Sequence, residues 1–86
     1  VDREREYRRR IEIVLEFLER IRAKYRIDFW GIAGSTARKD FSPQADIDLA
    51  ISVDIPIKEK QHFIKWVKPI IDEFNQRYGI LIDLSL

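Results

Sequence analysis

The sequence predicts an α+β domain in the order αβ(short α)βαβ, with two long helices covering one face of a small β-sheet. Three observations predict it. Residues 3–25 and 57–78 carry apolar side chains at three- and four-residue steps. Residues 27–33, 46–53 and 80–86 are short, apolar and either rich in β-branched and aromatic residues or alternating in hydropathy. Gly34, Pro56 and Gly79 fall at the joints between these stretches. With 86 residues the chain has material for one small domain, residues 1–86, and its 45% apolar content supports a core.

Each element has its own warrant. In residues 3–25, Tyr7, Ile11, Val14, Leu15, Leu18, Ile21 and Tyr25 form the expected buried stripe. The opposite face is Arg- and Glu-rich; Glu16–Arg20 supports the helix, whereas Glu12–Glu16 opposes it. Ile27–Ala33 reads as the first strand, ended by Gly34. Residues 35–39 allow one or two helical turns with Ser35 as N-cap. Phe41-Ser42-Pro43-Gln44 is loop chemistry. In residues 46–53, Ile47, Leu49, Ile51 and Val53 alternate with Asp46, Asp48, Ala50 and Ser52, placing both aspartates on one face. The second long helix buries Phe63, Val67, Ile70, Phe74 and Tyr78, with Pro69 expected to kink or split it and Gly79 to stop it. In the last strand Ile80, Ile82, Leu84 and Leu86 share one face, and Leu81, Asp83 and Ser85 the other.

Composition excludes several chemistries. Cysteine is absent and there is one histidine, so thiolate and multi-histidine metal sites cannot be built from this chain. A metal site here must use oxygen ligands, which suits magnesium or manganese. A net charge of +1 makes no electrostatic case for nucleic acid as an obligatory partner. No apolar run approaches bilayer length and no secretory signal is visible, so a cytoplasmic location and no membrane partner are expected. His62 reads as solvent-facing, and Trp30 and Trp66 as packing residues.

Asp46, Asp48 and Asp83 lie within apolar, strand-like text, where carboxylates are costly unless cations compensate them. Asp46 and Asp48 project to one side with Cα atoms about 6.6 Å apart. At about 6 Å and an effective dielectric near 20, each like-charge pair costs roughly 2.8 kcal/mol. Two divalent ions would relieve that repulsion and bind phosphate oxygens as well. The Gly34-Ser35 turn, eleven residues before Asp46, offers backbone N–H donors and a hydroxyl of the kind that hold a polyphosphate. Either feature alone is ordinary strand or turn chemistry; the combination is specific.

Gly34-Ser35-Thr36-Ala37-Arg38, followed by Asp46-Ile47-Asp48-Leu49 and then Ile82-Asp83-Leu84, resembles the core motif of the DNA polymerase β-like nucleotidyltransferases. Within that superfamily the chain is most similar to the minimal nucleotidyltransferases. The resemblance covers residues 27–86 and implies a palm-like fold with a small mixed sheet packed on two long helices. It implies that Asp46, Asp48 and Asp83 are catalytic and hold two magnesium ions (manganese being an alternative), and that Gly34, Ser35 and Arg38 bind the nucleotide. The substrate would be ATP or another nucleoside triphosphate, with the nucleoside monophosphate passing to an acceptor hydroxyl. Lys39 and Ala45 depart from the family pattern, which often has glycine and serine there. Lys39 would be strained if its backbone needs positive φ, or would add a cation near the phosphates.

In this group a small nucleotidyltransferase commonly accompanies a helical HEPN-type protein as a toxin–antitoxin pair. The resemblance therefore implies an antitoxin that adenylylates its toxin. The alternative is a catalytically weak binding module that neutralises a HEPN-type partner by complex formation. A homo-oligomer is compatible with either.

Overall fold

The computed structural model describes residues 2–42 and 44–86, so Pro43 of the expected loop lies outside the described residues. The elements are α1 (Arg3–Arg22), β1 (Ile27–Ala33), α2 (Gly34–Arg38), β2 (Ile47–Val53), a 3₁₀ turn at Ile57–Glu59, α3 (Lys60–Tyr78) and β3 (Ile82–Ser85). The sheet is three-stranded and mixed, in the order β1-β2-β3. β1 pairs antiparallel with β2, and β2 parallel with β3. The parallel pair needs a crossover, which α3 supplies. This is the small α+β architecture expected from the sequence. Among the described residues, no helix is long and apolar enough to cross a membrane.

α1 opens with Asp2, whose side chain accepts from the backbone N–H groups of Glu4 and Arg5. Its buried face consists of Arg10, Ile13, Val14, Phe17, Leu18 and Ile21. The stripe expected from periodicity is therefore rotated, and Leu15 is 44% exposed. The partner decides the face: Phe17 meets Phe74 of α3 edge-on, with ring centroids 5.4 Å apart. The helix ends at Arg22, but Tyr25 still packs edge-on against Phe63 and Trp66 of α3. Trp66 and Trp30 both pack against the core, and His62 is exposed.

Arg20 does not serve Glu16 within its own helix. It reaches across to α3 and donates to both carboxylate oxygens of Glu73, at 2.6 and 3.2 Å. That hydrogen bonding holds the Glu73 carboxyl below its ordinary range. The stabilisation is present above the ordinary glutamate range and fades as acidification protonates Glu73. Glu16 accepts instead from Arg77 at 3.2 Å and from the Tyr78 hydroxyl.

α3 runs through Pro69 as one helix and is not split. Proline removes one N–H and crowds the carbonyl of Lys65, four residues earlier. Both residues are exposed, so water can satisfy that carbonyl. The first turn of the expected helix is the separate 3₁₀ turn, and Gly79 ends α3 in the left-handed region, as the sequence reading expects.

α2 has Ala33, not Ser35, at its N-cap, and no side-chain cap. Its C-cap is Lys39, at φ 60° and ψ 25°. The strain foreseen at this departure from glycine is therefore present. Partial compensation comes from α1: Lys39 Nζ lies 3.3 Å from Glu4 Oε1 and 4.6 Å from the Tyr7 ring centroid. Lys39→Val, which loses both contacts and adds a β-branch at positive φ, is expected to cost about 2 kcal/mol. Lys39→Gly should stay within about 1 kcal/mol of wild type, because relief of strain offsets the lost contacts and the added unfolded-state entropy. Thermal melts of the two variants check the contrast.

Candidate active site

The candidate site forms where three strand ends meet. β3 runs parallel to β2, so the starts of both lie at the end of the sheet where β1 finishes and turns into α2. That end gathers Gly34 and Ser35 after β1, Asp46 and Asp48 at the start of β2, and Asp83 at the start of β3. The Ile47 N–H donates to the Leu81 carbonyl at 2.9 Å, which ties the two strand starts together just before Asp48 and Asp83.

Register sets the side-chain layout. Ala33 pairs with Asp48, and Asp48 with Asp83, so all three occupy one row across the sheet. The row belongs to the face away from α1 and α3, because Ile47, Leu49 and Ile82 point into the core. Neighbouring strands are spaced about 4.8 Å apart, so Asp48 and Asp83 stand side by side. Asp46 lies two residues before Asp48, just ahead of the strand. The next row, Gly31, Ala50 and Ser85, is small and exposed, which leaves the sheet face beside the carboxylates open to a ligand.

Gly34 touches this row directly. Its φ is +65°, and a Cβ there would overlap Oδ2 of Asp48 while lying 3.2 Å from Cγ and 3.6 Å from Cβ of the same residue. The glycine thus lets the turn after β1 close onto the Asp48 carboxylate, an approach a larger residue would prevent. Ser35 is half-buried in the first turn of α2. Arg38 lies on the exposed end of α2, where its Nε donates to Asp40 Oδ2 at 3.1 Å.

Burial alters the energetics expected from sequence. Asp46 and Asp83 are exposed and Asp48 is half-buried. Water therefore screens the trio, and their repulsion is well below the roughly 2.8 kcal/mol per pair set by a dielectric near 20. Among the described residues, no three acidic or histidine side chains are gathered into a ready-made metal cluster. Asp48 and Asp83 are adjacent by register, and Asp46 precedes Asp48 by two residues along the chain. The residues still fit a hard divalent cation: the donors are all carboxylate oxygens, they share one open face, and a glycine cradles one of them.

A buried cation beside this site escapes the sequence reading. Arg10 of α1 is 0% exposed. Its Nη1 donates to Thr36 Oγ1 at 3.2 Å and its Nη2 to the Ser42 carbonyl at 3.2 Å. The guanidinium carbon lies 4.3 Å from the Phe41 ring centroid, and Nε is 3.7 Å from Glu6 Oε1. Burial pushes the Arg10 pKa down from its ordinary value, while the charges of Glu6 and Asp46 act the other way. The usable signal was spacing: Arg10 falls three and four residues before Ile13 and Val14, on the buried face.

A glycine turn thus closes onto the Asp48 carboxylate on a small mixed sheet that two long helices accompany. The family model for the nucleotidyltransferase domain matches residues 6–85, and the chain belongs to that family, which includes the minimal nucleotidyltransferases. Comparison with curated proteins and with solved structures yields no match. Membership supports nucleotidyl transfer from a nucleoside triphosphate, in a family that usually uses divalent metals.

Proposed function

We propose that the chain transfers AMP from ATP to an acceptor hydroxyl on a HEPN-type partner protein, acting as the antitoxin of a toxin–antitoxin pair. The observation that carries the catalytic part is the closure of Gly34 onto Asp48, with Asp83 in register beside it. The resemblance of the motif carries the rest.

In this reading the backbone N–H groups of Gly34 and Ser35 hold the β- and γ-phosphates, and Arg38 turns from Asp40 to the triphosphate. Asp46, Asp48 and Asp83 would hold the divalent cations that the reaction uses. Bound magnesium or manganese would supply charge neutralisation at the entering and leaving oxygens. The open row of Gly31, Ala50 and Ser85 gives the acceptor room to approach along the sheet. The acceptor hydroxyl gives its proton to solvent as its oxygen bonds to the α-phosphorus, the bond from that phosphorus to the bridging oxygen breaks, and pyrophosphate leaves with the electron pair.

The test is incubation of the purified protein with magnesium, labelled ATP and the product of its neighbouring gene. Label on the neighbour, absent with the Asp46→Asn, Asp48→Asn double variant, supports the proposal. Full inhibition of the neighbour by that double variant, with no label transferred by either protein, would instead make the chain a binding module.

A further inference from the structure

We infer that Arg10 is a positioning residue for nucleotidyl transfer, clasping α2 to the segment that leads into Asp46. The inference rests on the nucleotidyl-transfer reading above for its catalytic consequence. Its structural basis stands apart from that reading.

Gly34, Ser35 and Asp46 lie just beyond the last ladder pairs of the sheet, Ala33 with Asp48 and Ile47 with Ile82. Gly34 and Ser35 belong to α2, a helix of five residues with no side-chain cap. Asp46 follows Phe41, Ser42, Gln44 and Ala45, none of which lies in a helix or strand. Neither segment is long enough to hold its own geometry. Arg10 reaches both from a rigid twenty-residue helix: one terminal nitrogen donates to Thr36 within α2, the other to the Ser42 carbonyl. Phe41 stacks on the guanidinium face, and Thr36 is itself 0% exposed. A planar fork with donors on two ends can bridge two such acceptors, whereas lysine offers one point charge on a flexible stem. The Asp46 charge lies near enough to act on Arg10, so the clasp sits beside the carboxylates it would position.

Two variants separate positioning from folding. Arg10→Lys keeps the charge and most of the packing volume but cannot span both acceptors. Thr36→Val keeps the shape of Thr36 and removes one acceptor. Each is assayed at a temperature where circular dichroism shows it fully folded. Displacement of catalytic groups by about 1 Å costs on the order of 100-fold, so kcat is expected to fall between about 10- and 100-fold in both variants. The KM for ATP should stay within about threefold, because neither substitution removes a group assigned to the nucleotide. A loss of folded protein would lower apparent kcat at the same KM, so kcat is referred to the folded concentration and hydrogen exchange supplies the independent readout. Amide hydrogen exchange in residues 34–42 should quicken at least about tenfold, with residues 67–74 of α3 unchanged. Unchanged kcat and unchanged exchange in the folded Arg10→Lys protein would overturn the inference, as would uniform acceleration of exchange across the whole chain. If the wild type transfers no nucleotide, the functional reading fails alone, and the exchange comparison still decides whether Arg10 holds these segments.

Discussion

Gly34→Ala is expected to remove nucleotidyl transfer while leaving the helical core folded. Two effects act at one position. The backbone there has φ +65°, which costs an alanine about 1–2 kcal/mol. The new Cβ would also overlap the Asp48 carboxylate, and the 3.2 Å gap to Cγ leaves little relief by rotating the oxygens alone. Asp48 is half-buried and paired in register with Asp83, so it must swing from the row or the turn must lift off it. Either movement separates the proposed phosphate-binding turn from a proposed cation ligand. A displacement of about 1 Å costs on the order of 100-fold in rate, and an overlap of this size demands at least that. A total stability loss of about 2 kcal/mol corresponds to a melting temperature lower by roughly 8–16 °C in a domain of this size. Gly31→Ala is the control. A Cβ at Gly31 meets nothing within 4 Å, so its melting temperature should stay level or rise by a few degrees. A Gly34→Ala protein that transfers nucleotide at the wild-type rate would show that the turn and Asp48 do not act together.

What the sequence disclosed follows the range of the physics involved. Alternation in residues 46–53 and 80–86 is a local property with a period of two, and it placed Asp46, Asp48 and Asp83 on the face opposite the core residues. The first strand coincides with Ile27–Ala33 because glycine at its end is a strong local stop. The motif residues of the candidate site were legible for the same reason: their spacing is a property of the chain. The buried face of α1 was not, because its apolar arc is wide and Phe74 on α3, some sixty residues away, selects Phe17 over Leu15. Partner choice among charges was equally hidden. Glu16 and Arg20 have the spacing of an intrahelical pair, yet each finds a partner on α3. Arg10 stands in an arginine-rich stretch that gives it no distinguishing mark, and only the fold reveals Thr36 and Ser42 around it. Lys39 shows the converse: comparison with the family pattern raised the question of positive φ, and the backbone answers it.

Asp48→Asn should reverse the order of stability between variant and wild type when magnesium is added. Without a divalent ion, Asp48 stands beside Asp83 in register and two residues from Asp46 along the chain. At about 5 Å, Coulomb repulsion is roughly 1 kcal/mol in water and about 3 kcal/mol at an effective dielectric of 20. Asp83 is exposed, so the lower figure applies. Converting Asp48 to the near-isosteric amide should therefore raise the ion-free melting temperature by roughly 4–8 °C. Saturating magnesium acts on the wild type in the opposite direction: a ligand at 100 times its dissociation constant adds about 2.7 kcal/mol to the folded state. The variant lacks one of the proposed carboxylate ligands and should gain little, so the wild type overtakes it as magnesium rises. Transfer should fall at least about 100-fold, the scale of losing one electrostatic group at a reacting centre. Asp28→Asn is the control for nonspecific salt effects, since Asp28 lies on β1 at the opposite end of the sheet and should leave the magnesium response intact. Melts recorded across a magnesium titration decide the matter. Parallel shifts in wild type and Asp48→Asn would mean that magnesium acts elsewhere on the chain. A wild type that never overtakes the variant would mean that the carboxylate row gains no stability from the ion.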